Sequence, residues 1–136
     1  MRWQHGDFWI TDDNDDADID FIWQSLVGTY WAEGRPRDVV EKSVRRSVML
    51  SMFQDHRPVG FTRIVGDQST FAWICDVYVH PDYRGQGLGK WMMACCLEHP
   101  ICKVRINMLA TKDAHGLYEK YGFAPKECMT RRGDGE

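Results

Sequence analysis

The sequence is short of several things, and each shortage removes a class of protein. No run approaches the roughly eighteen apolar residues that a membrane-spanning helix needs, so no membrane span is expected. Net charge is only −3, too little positive charge to displace the counterions of a nucleic acid, so no nucleic-acid partner is expected. The five cysteines, Cys75, Cys95, Cys96, Cys102 and Cys128, are odd in number and contain no C-x-x-C pair. Neither a disulfide framework nor a zinc knuckle follows from them, and they read as small apolar side chains. His5, His56, His80, His99 and His115 include no pair at i, i+4, and no metal is expected. The opening MRWQHGDFWI lacks the basic-then-apolar layout of a signal peptide, which makes a cytoplasmic location the expectation. No repeat or linker-like stretch interrupts the 136 residues, so one domain, 1–136, is expected.

What is present is ordinary for a globular chain: 43% hydrophobic and 27% charged residues,. Six aspartates lie between Asp12 and Asp20. They do not make a calcium loop, because the positions requiring glycine and glutamate hold Ala17 and Trp23,. Ile19, Ile22, Trp23, Leu26 and Tyr30 then fall on one face of a 3.6-residue period,. Acids ahead of such a helix supply N-cap oxygens and complement its dipole. Gly34-Arg35-Pro36 breaks the chain, and Asp38 to Arg46 reads as a second helix with Val40 and Val44 inward.

Three strands are expected next, Val48–Phe53, Val59–Val65 and Thr70–Val79, joined by links short enough to require an antiparallel meander,. A helix from Gly87 to Glu98, a strand from Cys102 to Leu109 and a helix through DAHGLYEKY follow, with Gly122 as a left-handed C-cap,. Phe123 onward is expected to add one short strand, and the N-terminal segment offers another. The result is an α/β chain whose sheet is antiparallel first and mixed later.

Between the third of these strands and its helix lies YRGQGLGKW, Tyr83 to Trp91. It is not a P-loop, because the position of the first glycine holds Arg84 and the hydroxyl position holds Trp91,. It is not a dinucleotide fingerprint either: Gly85 and Gly87 fit, but the third glycine position is Lys90, and hairpins replace the crossover helix,. What remains is strand, connector, R-G-x-G-x-G, helix. Backbone N–H groups in such a turn form a concave anion site at the positive end of a helix dipole.

DVYVHPDYRGQGLGKW resembles the acetyl-CoA-binding signature of the GNAT superfamily of N-acetyltransferases. LATKDAHGLYEKYGF resembles that family's closing motif, with Thr111 where asparagine is usual. The resemblance runs over roughly residues 48–123 and implies a mixed central sheet, an antiparallel meander followed by a splayed parallel pair, with about four flanking helices. It implies acetyl-CoA as co-substrate. Arg84, Gly85, Gln86, Gly87, Leu88, Gly89 and Lys90 would form the pyrophosphate turn, and Val77, Tyr78 and Val79 the strand along the pantetheine arm. Thr111 would keep a hydroxyl for the cofactor. Tyr118 would be the general acid for the departing sulfur, and the Val79 N–H the leading oxyanion donor.

Asp76, a carboxylate in a strand, reads either as a base for the amine proton or as the partner of a cation such as Arg63 or Arg105. For the acceptor, Tyr30 and Trp31, with Glu33 close by, suit a cationic amine, whether a small molecule or a lysine-like group. Trp23, at helical spacing, reads first as core. The resulting expectation is acetyl transfer to a primary amine by direct attack in a ternary complex. The alternatives are an acyl-CoA-binding regulatory or inactive module, and an acyltransferase with another donor. A short final strand would leave a sheet edge open, and a second copy covering it would make a homodimer.

Overall fold

A computed structural model of the chain describes residues 1–134; Gly135 and Glu136, the end of the polar RGDGE terminus, lie outside the described residues. Six strands form one sheet in sequence order: β1 Arg2–His5, β2 Phe8–Thr11, β3 Val48–Gln54, β4 Arg57–Gly66, β5 Phe71–Val79 and β6 Ile106–Leu109. The first five are antiparallel neighbours, and β6 runs parallel to β5. The predicted meander is β3–β4–β5. The N-terminal segment contributes a whole hairpin rather than one strand, turned at Gly6, whose φ of +58° suits a residue without Cβ,.

Four helices cover the sheet: α1 Ile19–Val27, α2 Arg37–Arg45, α3 Leu88–Glu98 and α4 His115–Glu119. On one face α3 and α4 bury Leu88, Met92 and Tyr118 against Leu50, Ile64 and Ile74. On the other, Ile22 and Leu26 of α1 and Val40 and Val44 of α2 close over Met49 and Phe61. The aspartate run serves as capping: Asp18 Oδ1 accepts the Phe21 N–H at the start of α1, at 3.0 Å,.

The three largest departures from expectation are these. Helix α1 stops at Val27 instead of reaching Tyr30, because the Thr29 N–H and hydroxyl both turn back to the Leu26 carbonyl. Strand β6 starts at Ile106, four residues late. Pro100–Cys102 first makes a 3-10 turn, capped by His99 Nδ1 accepting the Ile101 N–H. The strand expected after Phe123 does not form within the described residues. Pro125 has no N–H for a ladder, and Lys126-Glu127-Cys128-Met129 does not alternate apolar with polar as a half-buried strand would,. Gly122 does cap the preceding turn, at φ +89°.

One irregularity positions the site. Thr62 pairs with Val77 and Ile64 with Ile74, so Cys75 and Asp76 together face the single residue Arg63, a β-bulge. Strict alternation from Ala72 and Ile74 would send Asp76 under α3. The bulge shifts the phase, turning Asp76 toward the α1–α2 face and returning Val77 to the α3 face.

Candidate active site

Strand β6 pairs with β5 only from Phe71 to Ile74. From Cys75 to Val79, β5 continues without a strand neighbour on that side among the described residues, so the two strands part and a cleft opens between them. A cavity of about 570 Å³ occupies the parting, with Cys75, Asp76 and Val77 on one wall and Leu109 to Ala114 and Tyr118 on the other. The His80 N–H donates to the Val59 carbonyl on β4 at 2.8 Å. Antiparallel alternation therefore turns the Val77 and Val79 amides the other way, toward the parting.

Beyond β5, Pro81–Tyr83 makes a 3-10 turn in which His80 Nδ1 accepts the Asp82 N–H. The glycine run then leads into α3. Gly85 and Gly87 take φ of +82° and +80°, and a Cβ at either would meet no atom within 4 Å, so the space above them is open. Gly89 is helical; its lack of a side chain leaves room at the helix start without any unusual dihedral. Among the described residues, the amides of 85–90 donate to no backbone or side-chain acceptor, and Gly87 caps α3 with no side chain. Unpaired donors at a helix N-terminus make a receptor for an anion.

The flanking cations differ in placement. Arg84 folds back, its Nε donating to the Val79 carbonyl at 2.8 Å and its guanidinium lying 5.6 Å from the Tyr78 ring centre. Gln86 and Lys90 are exposed, as Arg84 is. Leu88 is core. Of the strand segment, Val77 lines the cavity. The Tyr78 side chain lies on the opposite face, stacked on Phe61 at 5.4 Å, and its backbone is turned toward β4, so Tyr78 does not line the cleft.

Tyr118 is 9% exposed and lines the cavity, and among the described residues its hydroxyl has no hydrogen-bond partner. Burial, then the neighbouring Tyr30, Cys96 and Asp113, raise its pKa above the ordinary phenol value, which keeps the proton on oxygen at neutral pH. Helix α4 is anchored by the Tyr121 hydroxyl on the Lys90 carbonyl, 2.9 Å, tying the wall that carries Tyr118 to the start of α3. Thr111 Oγ1 accepts the Ala114 N–H at 3.0 Å, which shapes the turn into α4 and leaves the hydroxyl proton free to donate.

Asp76 is the most committed group in the cleft. Arg63 Nε donates to it at 2.9 Å, Arg35 Nη1 at 3.2 Å and Trp31 Nε1 at 2.9 Å. Burial raises its pKa, but Arg63, Arg35 and Trp31 together outweigh burial and hold the carboxyl below its usual value. The paired-carboxylate reading of Asp76 thus has its partner in Arg63. Arg105 is elsewhere, at a second cavity of about 610 Å³ outside β6.

Tyr30 and Trp31 both line the first cavity, edge to face at 5.2 Å. Glu33 does not line it, and Trp23 packs with the α1–α2 core, donating to the Arg35 carbonyl at 3.1 Å. The sequence reading missed Arg35 and Lys112 as cavity residues. Arg35 lies in the loop-breaking Gly34-Arg35-Pro36, where its local signal is that of a chain break. Among the described residues no cluster of three metal-ligating side chains exists, and no helix is long and apolar enough to cross a membrane.

Comparison with known proteins agrees with this geometry. The family model described as "Acetyltransferase (GNAT) domain" matches residues 45–125. A crystal structure of a GNAT-family protein from Xanthomonas campestris pv. campestris superimposes with a TM-score of 0.89 at 37% identity, covering 96% of this chain and 94% of that one. The uncharacterized N-acetyltransferase ycf52 of Gracilaria tenuistipitata var. liui is 42% identical over 96 residues, 65% of this chain and 53% of its own. A ycf52-like protein of Prochlorococcus marinus is 35% identical over 107 residues, covering 74% and 59%. The chain spans little more than half the length of these two curated relatives. With a matching family model over more than half its residues and a matching fold, the chain belongs to the GNAT family of acetyltransferases.

Proposed function

We propose that the chain transfers the acetyl group of acetyl-CoA to a primary amine within a ternary complex. The observation that carries this is the parting of β5 from β6 beside the Tyr118 hydroxyl, on the strand whose end leads into the unpaired amides of residues 85–90. The donor residues fit a long molecule with phosphates at one end. The amides of 85–90, with Lys90 at the rim, would hold the pyrophosphate. The Val77 and Val79 amides would face the pantetheine arm, and Thr111 would donate from the opposite wall.

Bound there, acetyl-CoA supplies an activated acyl thioester. The Val79 N–H, turned toward the parting, would stabilise a developing oxyanion; one such donor is worth roughly 3–4 kcal/mol in related chemistry. As the nitrogen–carbon bond forms and the carbon–sulfur bond breaks, Tyr118 Oη gives its proton to the leaving sulfur, and the amine proton passes through the open cavity to water. Asp76 is a weak base in this reading, because its charge is already engaged by two guanidiniums. Its role is to hold Arg35, Arg63 and Trp31 in place.

The test is calorimetric titration of the wild type and of Gly87→Glu with acetyl-CoA. One-site binding is expected for the wild type, and its loss in the folded variant, since glutamate fills the open turn and repels phosphate. Absence of wild-type binding overturns the proposal.

A further inference from the structure

We propose that the acceptor is an amine that also carries a carboxylate, and that the guanidinium of Arg35 receives that carboxylate. The inference rests on the acetyl-transfer reading and specifies its second substrate. It starts from an imbalance: the cavity is lined by three cations, Arg35, Arg63 and Lys112, and two carboxylates, Asp76 and Asp113. Both guanidiniums converge on Asp76. One carboxylate balances one of them, which leaves a positive charge in a partly buried wall.

The geometry shows which one is open. Arg63 is engaged on two sides, Nε on Asp76 and Nη1 on Ser47 Oγ at 3.3 Å. Arg35 uses only Nη1; among the described residues, its Nε and Nη2 donate to nothing. Its side chain is 21% exposed and borders the cavity. Its backbone is pinned by the Trp23 indole, and its Nη1 by Asp76, which Trp31 and Arg63 hold in turn. A planar fork kept in place with donors unused is suited to bidentate recognition of a carboxylate.

The same charge excess acts on the nucleophile. A positive wall disfavours an ammonium, so it lowers the pKa of a bound amine and favours the neutral form that can attack. It disfavours polyamines for the same reason, and an arylalkylamine offers Arg35 nothing to bind. A free amino acid meets both demands, with its carboxylate on Arg35 and its amine toward Tyr118, while Tyr30 and Trp31 bound the side-chain space.

The experiment titrates CoA-saturated protein with matched sets: free amino acids, their amides, their decarboxylated amines, and amines bearing a phosphate instead. At least one amino acid is expected to bind, with its amide and decarboxylated amine about 10- to 100-fold weaker, the range for a charged hydrogen-bond partner. Arg35→Gln should bring the amino acid to the level of its amide, and Arg35→Lys should recover part of the difference. CoA titration of both variants, with unchanged affinity, shows that they are folded. The proposal is overturned if amines without a carboxylate bind equally well, if the phosphate set binds best, or if no amino acid binds while CoA does. Failure of the wild type to bind CoA, seen before any amine is added, overturns the transfer reading and this one together.

Discussion

Replacing Asp76 by asparagine tests whether this carboxylate is a structural ion or a base. The substitution keeps an oxygen for the Trp31 indole but removes the charge that Arg63 and Arg35 share at 2.9 and 3.2 Å. Two guanidiniums would then face one another across a neutral amide. Removing one member of a buried ion pair costs about 3–5 kcal/mol. Arg35 and Arg63 are 21% and 16% exposed, so water recovers part of that loss, and about 3 kcal/mol is the expected destabilisation.

For a chain of this size such a loss lowers the melting temperature by roughly 10 °C. Urea denaturation of both proteins across pH gives the decisive signature. The folded pKa of Asp76 lies below its unfolded value. Its contribution is therefore complete above the unfolded carboxyl pKa of about 3.9, and is lost as pH falls through the lower folded pKa. The gap between wild type and variant should be full at pH 6 and should narrow below about pH 4. A difference under about 1 kcal/mol at pH 6 would refute the ion-pair account. So would a gap that stays constant down to acid unfolding. If Asp76 were the base, the variant would lose turnover while keeping nearly all its stability.

Tyr118→Phe should lower kcat about 100-fold or more with acetyl-CoA affinity within about twofold; steady-state thiol release alongside calorimetry separates the two. Asn14 holds the Val44 and Ser47 carbonyls and the Met49 N–H, so Asn14→Ala should cost about 2 kcal/mol, read as a shifted urea midpoint. Among the five thiols, native alkylation at pH 8 should label exposed Cys128 first; Cys95 is buried and pushed up to about 11, and Cys96 and Cys102 are buried, a ranking that peptide mass spectrometry reads directly. The outer edge of β6 has no strand partner among the described residues, and we expect a second copy to cover it; light scattering should give twice the chain mass, and a monomer at working concentration refutes this.

Much of the glycine turn and of the helices was legible in the sequence because their signals are local. A glycine at positive φ, an aspartate capping the helix that follows it, and apolar residues repeating every third or fourth place act within one turn of chain. Gly85, Gly87, Asp18 and α3 therefore stand where their neighbours in sequence said they would. The errors came where local preference was the wrong guide. The apolar period ran on to Tyr30, but the backbone turned after Val27. Phe123 invited a strand, yet Pro125 and the unpatterned residues after it had no ladder to join.

The charged wall of the cleft was decided by tertiary structure. Trp31 and Arg35 come from a loop, Arg63 from β4 and Asp76 from β5, brought within hydrogen-bond distance by a single extra residue opposite Arg63. Pleat alternation read from sequence would place Asp76 on the wrong face, because a bulge changes the count without leaving a mark in the residue pattern. By itself, the sequence determined the order of elements, the glycine turn ahead of α3 and the tyrosine on the last helix, each a property of short-range backbone chemistry. Only the assembled sheet decided which charges meet, and so which face of the cleft is left positive.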